Sequence, residues 1–373
     1  MGKKACTRCV FDEKVKGIEF GPEGVCNYCR LQEKFAKTPP DEEYLRRLLD
    51  SIRKRTHRSR HGCIVPFSGG VDSTYVLYYL VQEGLRPIAV HSDNGWVTEL
   101  SKRNMERAVR KLNVPLVKLT AEKDTLRRAY LAFLEASVPE VCLPCEVKNI
   151  SEIMEFAVMK GIRYLFYGFS PRTEGINPLS WHYIDARYYR SIISRFAGRG
   201  DKAHKLNKLG IPKLFYYLVL KGIRQIQLPA FIEWDEEKIK KTLSSELGWV
   251  DGGRHSDCSY YPFVKSLLRE KFGIDREKTF YCAMINSGEI DRKEAARRLE
   301  RKKEEDASSF FPEVSSRLGV QEEDLRRFMK RPARYFWDYP TYYPLLKKLK
   351  PLVWLASRTN MIPKTFHEKL FRT

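Results

Sequence analysis

Ile64-Val65-Pro66-Phe67-Ser68-Gly69-Gly70-Val71-Asp72-Ser73, running on into Thr74-Tyr75-Val76-Leu77, is the stretch that decides the fold. An apolar β-type run breaks at two glycines and resumes as a helical pattern, which is how a phosphate-binding turn between a strand and a helix reads in sequence. Gly69 and Gly70 let the backbone pass close to an anion. Ser68 and Ser73 offer hydroxyls, and the amides opening the next helix point at the same place. No Gly-Lys-Ser/Thr closes the turn and no lysine lies inside it, so it is not the P-loop of kinases and GTPases. The plain alternative is a glycine-rich strand-to-helix turn without a ligand.

Working outward, apolar strands at Cys63 to Phe67, Arg86 to His91, Leu116 to Leu119 and Tyr164 to Gly168 alternate with helical patterns. That rhythm predicts an α/β fold with a doubly wound parallel sheet, whose ligand sits at the carboxyl ends of the strands. Asp93 falls on that edge, as do Gly168, Phe169 and Ser170. Cys63, inside the first strand, reads as a small buried hydrophobe. After Pro229 the pattern is helical: Glu236 to Leu247, Lys265 to Phe272, Thr279 to Ile285, Arg292 to Lys303 and Glu322 to Met329 are expected to pack over the mouth of the site, with a break at Asp306-Ala307-Ser308-Ser309.

The chain has 373 residues, enough for one substantial core with additions. No run approaches the roughly 18 to 20 apolar residues of a spanning helix. Met1-Gly2-Lys3-Lys4-Ala5-Cys6 carries no apolar signal core, so a cytoplasmic protein is expected. Sixty-eight Lys and Arg against 47 Asp and Glu give a net charge of +21. That excess points to an anionic partner, whether nucleic acid, a phosphorylated sugar or an acidic membrane surface, or else to a solvated basic surface.

Nine cysteines in such a chain read as ligands or core residues rather than disulfides. Cys6-Thr7-Arg8-Cys9 and Cys26-Asn27-Tyr28-Cys29 are two knuckles sixteen residues apart, with Gly24 placed to turn the second. Four thiolates at this spacing make a structural Zn²⁺ site that folds a segment too short to own a core, and leave no open position for catalysis. Cys282, within Tyr-Cys-Ala-Met-Ile, reads as core. Asp41-Glu42-Glu43 after Pro39-Pro40 opens a helix whose apolar face is Tyr44, Leu45, Leu48, Leu49 and Ile52. The basic run Arg53 to Arg60 that follows is either a solvated helix end or an anion contact.

The Ser-Gly-Gly-Val-Asp-Ser string resembles the pyrophosphate loop of the ATP pyrophosphatase (PP-loop) superfamily, of the HUP type. There the loop holds the β- and γ-phosphates of ATP while a substrate oxygen attacks the α-phosphate. His91-Ser92-Asp93-Asn94-Gly95-Trp96, Glu99-Leu100, Asn104 and Ala136-Ser137-Val138-Pro139 narrow the likeness to N-acetyl sugar amidotransferases of surface polysaccharide and nonulosonate biosynthesis. So do Ser180-Trp181, Ile193-Ser194-Arg195-Phe196, Leu247-Gly248-Trp249, Gly252-Gly253-Arg254-His255 and Ser287-Gly288, so that the resemblance covers about residues 5 to 300. It implies an AMP- and pyrophosphate-forming enzyme that converts an acetamido sugar or nucleotide sugar to its acetamidino form. ATP and Mg²⁺ would bind at Phe67, Ser68, Gly69, Gly70, Val71, Asp72, Ser73, Asp93 and Gly168. Asp72, Arg254 and His255 would be catalytic, and a separate glutaminase and synthase-type partner would supply ammonia.

One feature departs from that family. Val141-Cys142-Leu143-Pro144-Cys145 and His255-Ser256-Asp257-Cys258 resemble instead PP-loop enzymes that thiolate tRNA, some of which hold a four-iron four-sulfur cluster on three cysteines. A second zinc site, reactive thiols and buried thiols are the other readings. The expected organisation is a zinc ribbon over 1–35, a linker helix over 36–60, the PP-loop domain over 61–230, a helical substrate-side region over 231–330 and a basic aromatic tail over 331–373. The tail carries Tyr335-Phe336-Trp337, Tyr339, Tyr342-Tyr343, Trp354 and Phe366 among Lys347, Lys348, Lys350, Arg358, Lys364 and Arg372. Either it docks on a phosphate-rich ligand or anionic membrane, or its aromatics pack on the core with the charges in water.

Overall fold

The computed structural model describes residues 4–57, 61–120, 122–301 and 305–372; the end of the basic run at 58–60 and the last residues of the helix expected to reach Lys303 lie outside them. Five strands, β1 (Cys63–Pro66), β2 (Pro87–Asp93), β3 (Leu116–Thr120), β4 (Tyr164–Tyr167) and β5 (Arg224–Gln227), form one parallel sheet in the order β3-β2-β1-β4-β5. Strand order reverses between β1 and β4, so the crevice of the sheet opens above their carboxyl ends. Ile64, Val65, Ala89, Val90, Leu165 and Phe166 are fully buried, as strands covered on both faces require.

Each face is sealed by helices whose apolar spacing matches their period. On one side α2 (Glu42–Thr56) contributes Leu45, Leu49 and Ile52, and α3 (Val71–Gln82) contributes Val76, Leu77 and Leu80. Met105 and Ala108 of α4 (Glu99–Leu112) and Ile239, Leu243 and Leu247 of the helix Glu236–Leu247 complete that layer. On the other side Ile153, Met154, Phe156 and Ala157 of α6 (Leu143–Lys160) cover Ile64, Ile88 and Val90. The start of α2 is set as its sequence implies, with the Asp41 carboxylate accepting from the Tyr44 amide.

The amino-terminal segment and the carboxy-terminal helices share a third apolar cluster beside the sheet. The helix α1 (Asn27–Ala36) packs along Glu277–Ser287, and the Phe11 ring lies 5.4 Å from Tyr28 and 5.6 Å from Trp181. Of the tail aromatics, Phe336 stacks on Tyr183 at 4.2 Å and the Tyr339 hydroxyl donates to the Ala136 carbonyl at 2.7 Å. Trp337 and Trp354 stay about half exposed, so only part of the tail's aromatic set packs on the core. No helix among the described residues is long and apolar enough to cross a membrane.

Candidate active site

At the end of β1 the chain turns through Phe67, Ser68, Gly69 and Gly70 into α3, for which Gly70 is the amino-terminal cap. Three successive carbonyls of this turn are held from behind. His91 Nδ1 lies 2.8 Å from the Phe67 carbonyl, the Ser101 hydroxyl donates to that of Ser68, and Trp249 Nε1 donates to that of Gly69 at 2.9 Å. The Ser68 and Gly70 amides donate within the turn, to Ser73 Oγ and Ser68 Oγ (3.3 Å each), and the amides of the first turn of α3 serve the front, where a helix N-terminus favours an anion. Burial lowers the pKa of His91 and keeps its ring neutral, which suits a single Nδ1–H donor to a carbonyl.

The two glycines do different jobs. Gly69 has φ +81°, and a Cβ there would lie 2.6 Å from the Ser101 carbonyl oxygen, so both conformation and space demand glycine. Gly70 has an ordinary φ of −71°, and a Cβ would meet only Ser68 Oγ at 3.4 Å and Asp257 Oδ2 at 3.9 Å. The space it leaves is the cleft itself. Gly168, at the end of β4, would place a Cβ 2.7 Å from the Asp72 backbone; its absence lets the β4 loop close against the first turn of α3.

A cleft of about 340 Å³ opens above this turn. Phe67, Ser68, Gly70, Val71, Asp72, Ser73 and Gly168 form its base, and Arg254, His255, Asp257 and Cys258 reach it from the far side of the sequence. That distant loop is carried by the segment after β2. Asn104 and Val250 exchange two hydrogen bonds (2.8 and 3.0 Å), the Thr98 hydroxyl donates to the Ser256 carbonyl at 2.7 Å, and the Ser259 amide donates to the Trp96 carbonyl at 2.8 Å. Gly69 and Asp93 stand behind the lining: Asp93 Oδ1 accepts from the Gly95 amide at 2.8 Å and shapes the turn that carries the distant loop.

Charge in the cleft is mixed and uneven. Burial, reinforced by Glu174 and opposed by Arg254, pushes the Asp72 carboxyl up to about 8, and burial raises Glu174 as well. Arg254 pairs with Glu236 at 2.9 Å, and Lys240 bridges Glu236 (3.0 Å) and Asp251 (3.2 Å). Against the cost of burial, Arg254 and Lys240 hold Glu236 below the usual carboxylate range. His255 has φ +56°, uncommon for a side chain that size, and its ring rests 4.2 Å from Tyr261, where burial lowers its pKa. Glu174 escaped sequence reasoning because it ends the short helix Pro171–Glu174, which no motif marks, and Asp257 because it reads only as part of the stretch leading to Cys258. Ser101 and Trp249 escaped as carbonyl anchors because only the fold brings them behind the turn.

Cys6, Cys9, Cys26 and Cys29 are fully buried, and their four sulfurs lie within 4.8 Å of one another. The Cys6–Cys29 and Cys9–Cys26 separations, 3.9 and 3.8 Å, match the edge of about 3.8 Å implied by Zn–S bonds of about 2.3 Å in a tetrahedron. Amides of Cys9 and Cys26 donate to Cys6 Sγ and that of Cys29 to Cys26 Sγ, as thiolates require. The donor set fits a closed four-thiolate metal. Cys282 is buried and places its sulfur 3.8 Å from Cys29.

Of Cys142, Cys145 and Cys258, only Cys258 lines the cleft; Asn94, in the same wall, places Nδ2 3.3 Å from Cys145 Sγ and 3.9 Å from Cys258 Sγ. The three sulfurs do not close to within 4.8 Å of one another as the four of the knuckles do. Burial raises all three pKa values, Cys258 to about 12, so without a cation the thiols are protonated.

A parallel sheet reversing at β1 and β4, with a Ser-Gly-Gly turn at the switch point, is a doubly wound α/β unit whose turn resembles that of the PP-loop superfamily. Residues 256–350 match the family model described as LPS biosynthesis protein WbpG-like, C-terminal domain; the strand–loop–helix unit precedes that span. No curated protein matches the chain. Solved structures that pair with it include a "predicted subunit of tRNA methyltransferase" from Methanocaldococcus jannaschii, at 18% identity over 58% of this chain and 91% of that one, TM-score 0.31. Others are an NMN synthetase from Francisella tularensis (11%, 69% and 93%, TM-score 0.33) and an NH3-dependent NAD synthetase from Campylobacter jejuni (11%, 74% and 98%, TM-score 0.28). Superpositions at these scores carry no functional weight.

Proposed function

We propose that the chain is an ATP-dependent, adenylylating amidotransferase that converts an acetamido sugar to an acetamidino sugar. The observation that carries this reading is the turn from Phe67 to Ser73, whose carbonyls are anchored behind and whose helix-opening amides, Val71 to Ser73, front a cleft that Arg254 and His255 also line. A pyrophosphate leaving group is the ligand such a turn would stabilise best. The match of residues 256–350 to a lipopolysaccharide-biosynthesis domain supports a sugar acceptor, and we assign the helical region 231–330 to that side of the cleft.

An amide carbonyl is a poor electrophile with a bad leaving group. Its oxygen attacks the α-phosphorus of ATP, the bond to the bridging oxygen breaks, and pyrophosphate leaves as the amide nitrogen loses its proton. Ammonia then adds to the imidate carbon, and AMP departs with the original carbonyl oxygen. In this scheme the amides of Val71 to Ser73 with the Ser68 and Ser73 hydroxyls hold the departing pyrophosphate, and Arg254 and His255 offset charge on the phosphates or sugar. Asp72, with Glu174 and Asp257 nearby, offers the carboxylate set for Mg²⁺, which when bound would neutralise phosphate charge. Zinc at the four knuckle cysteines is structural. Ammonia comes from a separate glutaminase or synthase-type partner, and free ammonium salts should replace it. The test is formation of AMP and pyrophosphate in equal amounts that needs both an acetamido sugar and ammonium. Turnover indifferent to every acetamido sugar offered would overturn the reading.

Cys258 in the cleft wall, linked through Asn94 to Cys145, favours a second reading, in which the same activation serves sulfur transfer to tRNA or another carbonyl acceptor, with an iron–sulfur cluster on Cys142, Cys145 and Cys258. Anaerobic purification separates the two: brown protein with about four iron per chain supports sulfur delivery, and colourless protein carrying zinc alone supports amidation.

A further inference from the structure

The acid-free stretches of this chain coincide with its exposed apolar ones. From 202 to 232 there is no Asp or Glu, against Lys202, Lys205, Lys208, Lys213, Lys221 and Arg224. From 339 to 367 there is again none, against Lys347, Lys348, Lys350, Arg358 and Lys364. In the first stretch Ile211, Phe215 and Val219 recur every fourth residue along the helix Ile211–Phe215 and its π-helical continuation Tyr216–Leu220. They are 44, 55 and 50% exposed, and Leu220 is 65% exposed.

The second stretch holds a helix turned inside out. Lys350–Arg358 buries Val353 and Ser357 and presents its largest apolar side chains, Leu352, Trp354 and Leu355, at 62, 46 and 53% exposure. A helix that served only the core would do the reverse. The two segments meet at the β5 edge: the Gln225 amide donates to the Asn360 carbonyl at 2.7 Å, and its side chain donates to the Met361 carbonyl at 2.9 Å. Met361 and Ile362 pack against the cluster that contains Tyr217, Leu218 and Ile223. Cations lie beside the apolar groups, with Lys221 5.3 Å from the Tyr216 ring and Arg358 5.4 Å from the Trp354 ring. The π-helical segment leads into the amino end of β5, whereas the cleft opens at the carboxyl ends of the strands.

The geometry points to a membrane-docking surface: the face built from Ile211–Leu220 and Lys350–Arg358 seats on an anionic lipid bilayer. Phe215, Leu220, Leu352, Trp354 and Leu355 enter the headgroup–acyl boundary, and the surrounding lysines and Arg358 meet lipid phosphates. Charge decides the occupant. Glu155 and Glu122 pair with Lys208 and Lys202 at the start of the first stretch, but the helices Ile211–Leu220 and Lys350–Arg358 carry no acid of their own, so a second copy docking through the same face would set cation against cation, and that repulsion opposes a two-fold interface. An anionic bilayer satisfies both the apolar side chains and the positive field. This surface is independent of the reaction assigned to the cleft.

The experiment is co-sedimentation of the full, zinc-loaded chain with phosphatidylcholine vesicles, with and without phosphatidylglycerol. Pelleting is expected only with phosphatidylglycerol and should weaken as salt is raised. The double variants F215E/L220E and L352E/L355E should each cut the partition coefficient about tenfold or more while leaving the melting temperature and pyrophosphate release unchanged. Trp354→Phe should keep pelleting but lose the part of the fluorescence that brominated acyl chains quench. Protein that stays in the supernatant with every vesicle, or pelleting untouched by both double variants, overturns the proposal. So does self-association that those variants abolish without any vesicle binding.

Discussion

The two Cys-x-x-Cys sequences of this chain come to opposite ends. Cys6-Thr7-Arg8-Cys9 meets a second knuckle, and the four sulfurs close to tetrahedral spacing, fully buried, with backbone amides aimed at them. Cys142-Leu143-Pro144-Cys145 opens the helix Leu143–Lys160 and meets only Cys258, which lines the cleft, with Asn94 between sulfurs that remain apart. What differs is the second half of each set. A partner knuckle in the same small segment fixes a closed metal polyhedron, whereas one cysteine from a distant loop leaves an open group whose fate depends on the cleft. On the proposed reading the first set is a folding device, and the second reaches the cleft through Cys258 alone.

The comparison breaks first if metal removal is harmless. Chelation, or Cys26→Ser, should lower the melting temperature by more than about 10 °C, because structural zinc binding is worth on the order of 10 kcal/mol in small metal-folded modules. Metal analysis should show one zinc per chain, lost together with the fold of the amino-terminal segment. Cys145→Ser and Cys258→Ser should instead keep the zinc and melt within about 3 °C of the parent, as partly exposed substitutions do. Equal losses of stability from both sets would end the distinction.

The glycines sharpen the same contrast between scaffold and site. Gly69→Ala meets a positive φ and the Ser101 backbone, and should cost about 2 to 4 kcal/mol in denaturant unfolding. Gly70→Ala should leave stability within about 1 kcal/mol and yet reduce pyrophosphate release by roughly a hundredfold, the scale of a lost anion-stabilising contact.

The pH dependence of Asp72 comes next. Its folded pKa is raised, to about 8, so the folded state holds a proton that the unfolded chain releases near 4. Stability from this group is therefore full below about pH 4 and is lost as pH rises toward 8. Asp72→Asn should flatten that decline in a series of melting curves. Conversely, Mg²⁺ must displace the proton, so nucleotide affinity in the parent should strengthen through pH 7 to 8 and release a proton measurable in buffers of different ionisation enthalpy. The smallest expected effect is Trp249→Phe, which removes one buried hydrogen bond to Gly69 and should cost about 1 kcal/mol.

Strands β1 to β4 were legible because each is a continuous apolar run closed by a turn signal. β5 was not: Arg224-Gln225-Ile226-Gln227 alternates at a sheet edge, and its exposed ladder is covered by Asn360 and Met361 from the far end of the chain. The zinc ligands could be read because their geometry is local. Helices such as Glu236–Leu247 could be read from period and cap, here Asp235 accepting from the Lys238 amide. In the site, the Ser-Gly-Gly turn announced itself, but the groups that make it work were scattered. Ser101, Trp249, Glu174 and Asp257 lie on four different segments, and no periodic pattern marks a residue whose task is to hold a carbonyl from behind. Asp93 ends β2, where the resemblance implies a nucleotide contact, and its carboxylate also accepts from the Gly95 amide in the turn before Trp96.

The central claim is that the turn from Phe67 to Ser73 supports attack of an acetamido oxygen on the α-phosphate. An acetamido sugar labelled with ¹⁸O in its carbonyl tests it in one turnover with ATP and ammonium. The account predicts AMP heavier by one ¹⁸O atom and unlabelled pyrophosphate. Label in inorganic phosphate or pyrophosphate, or AMP formed without it, would contradict the account.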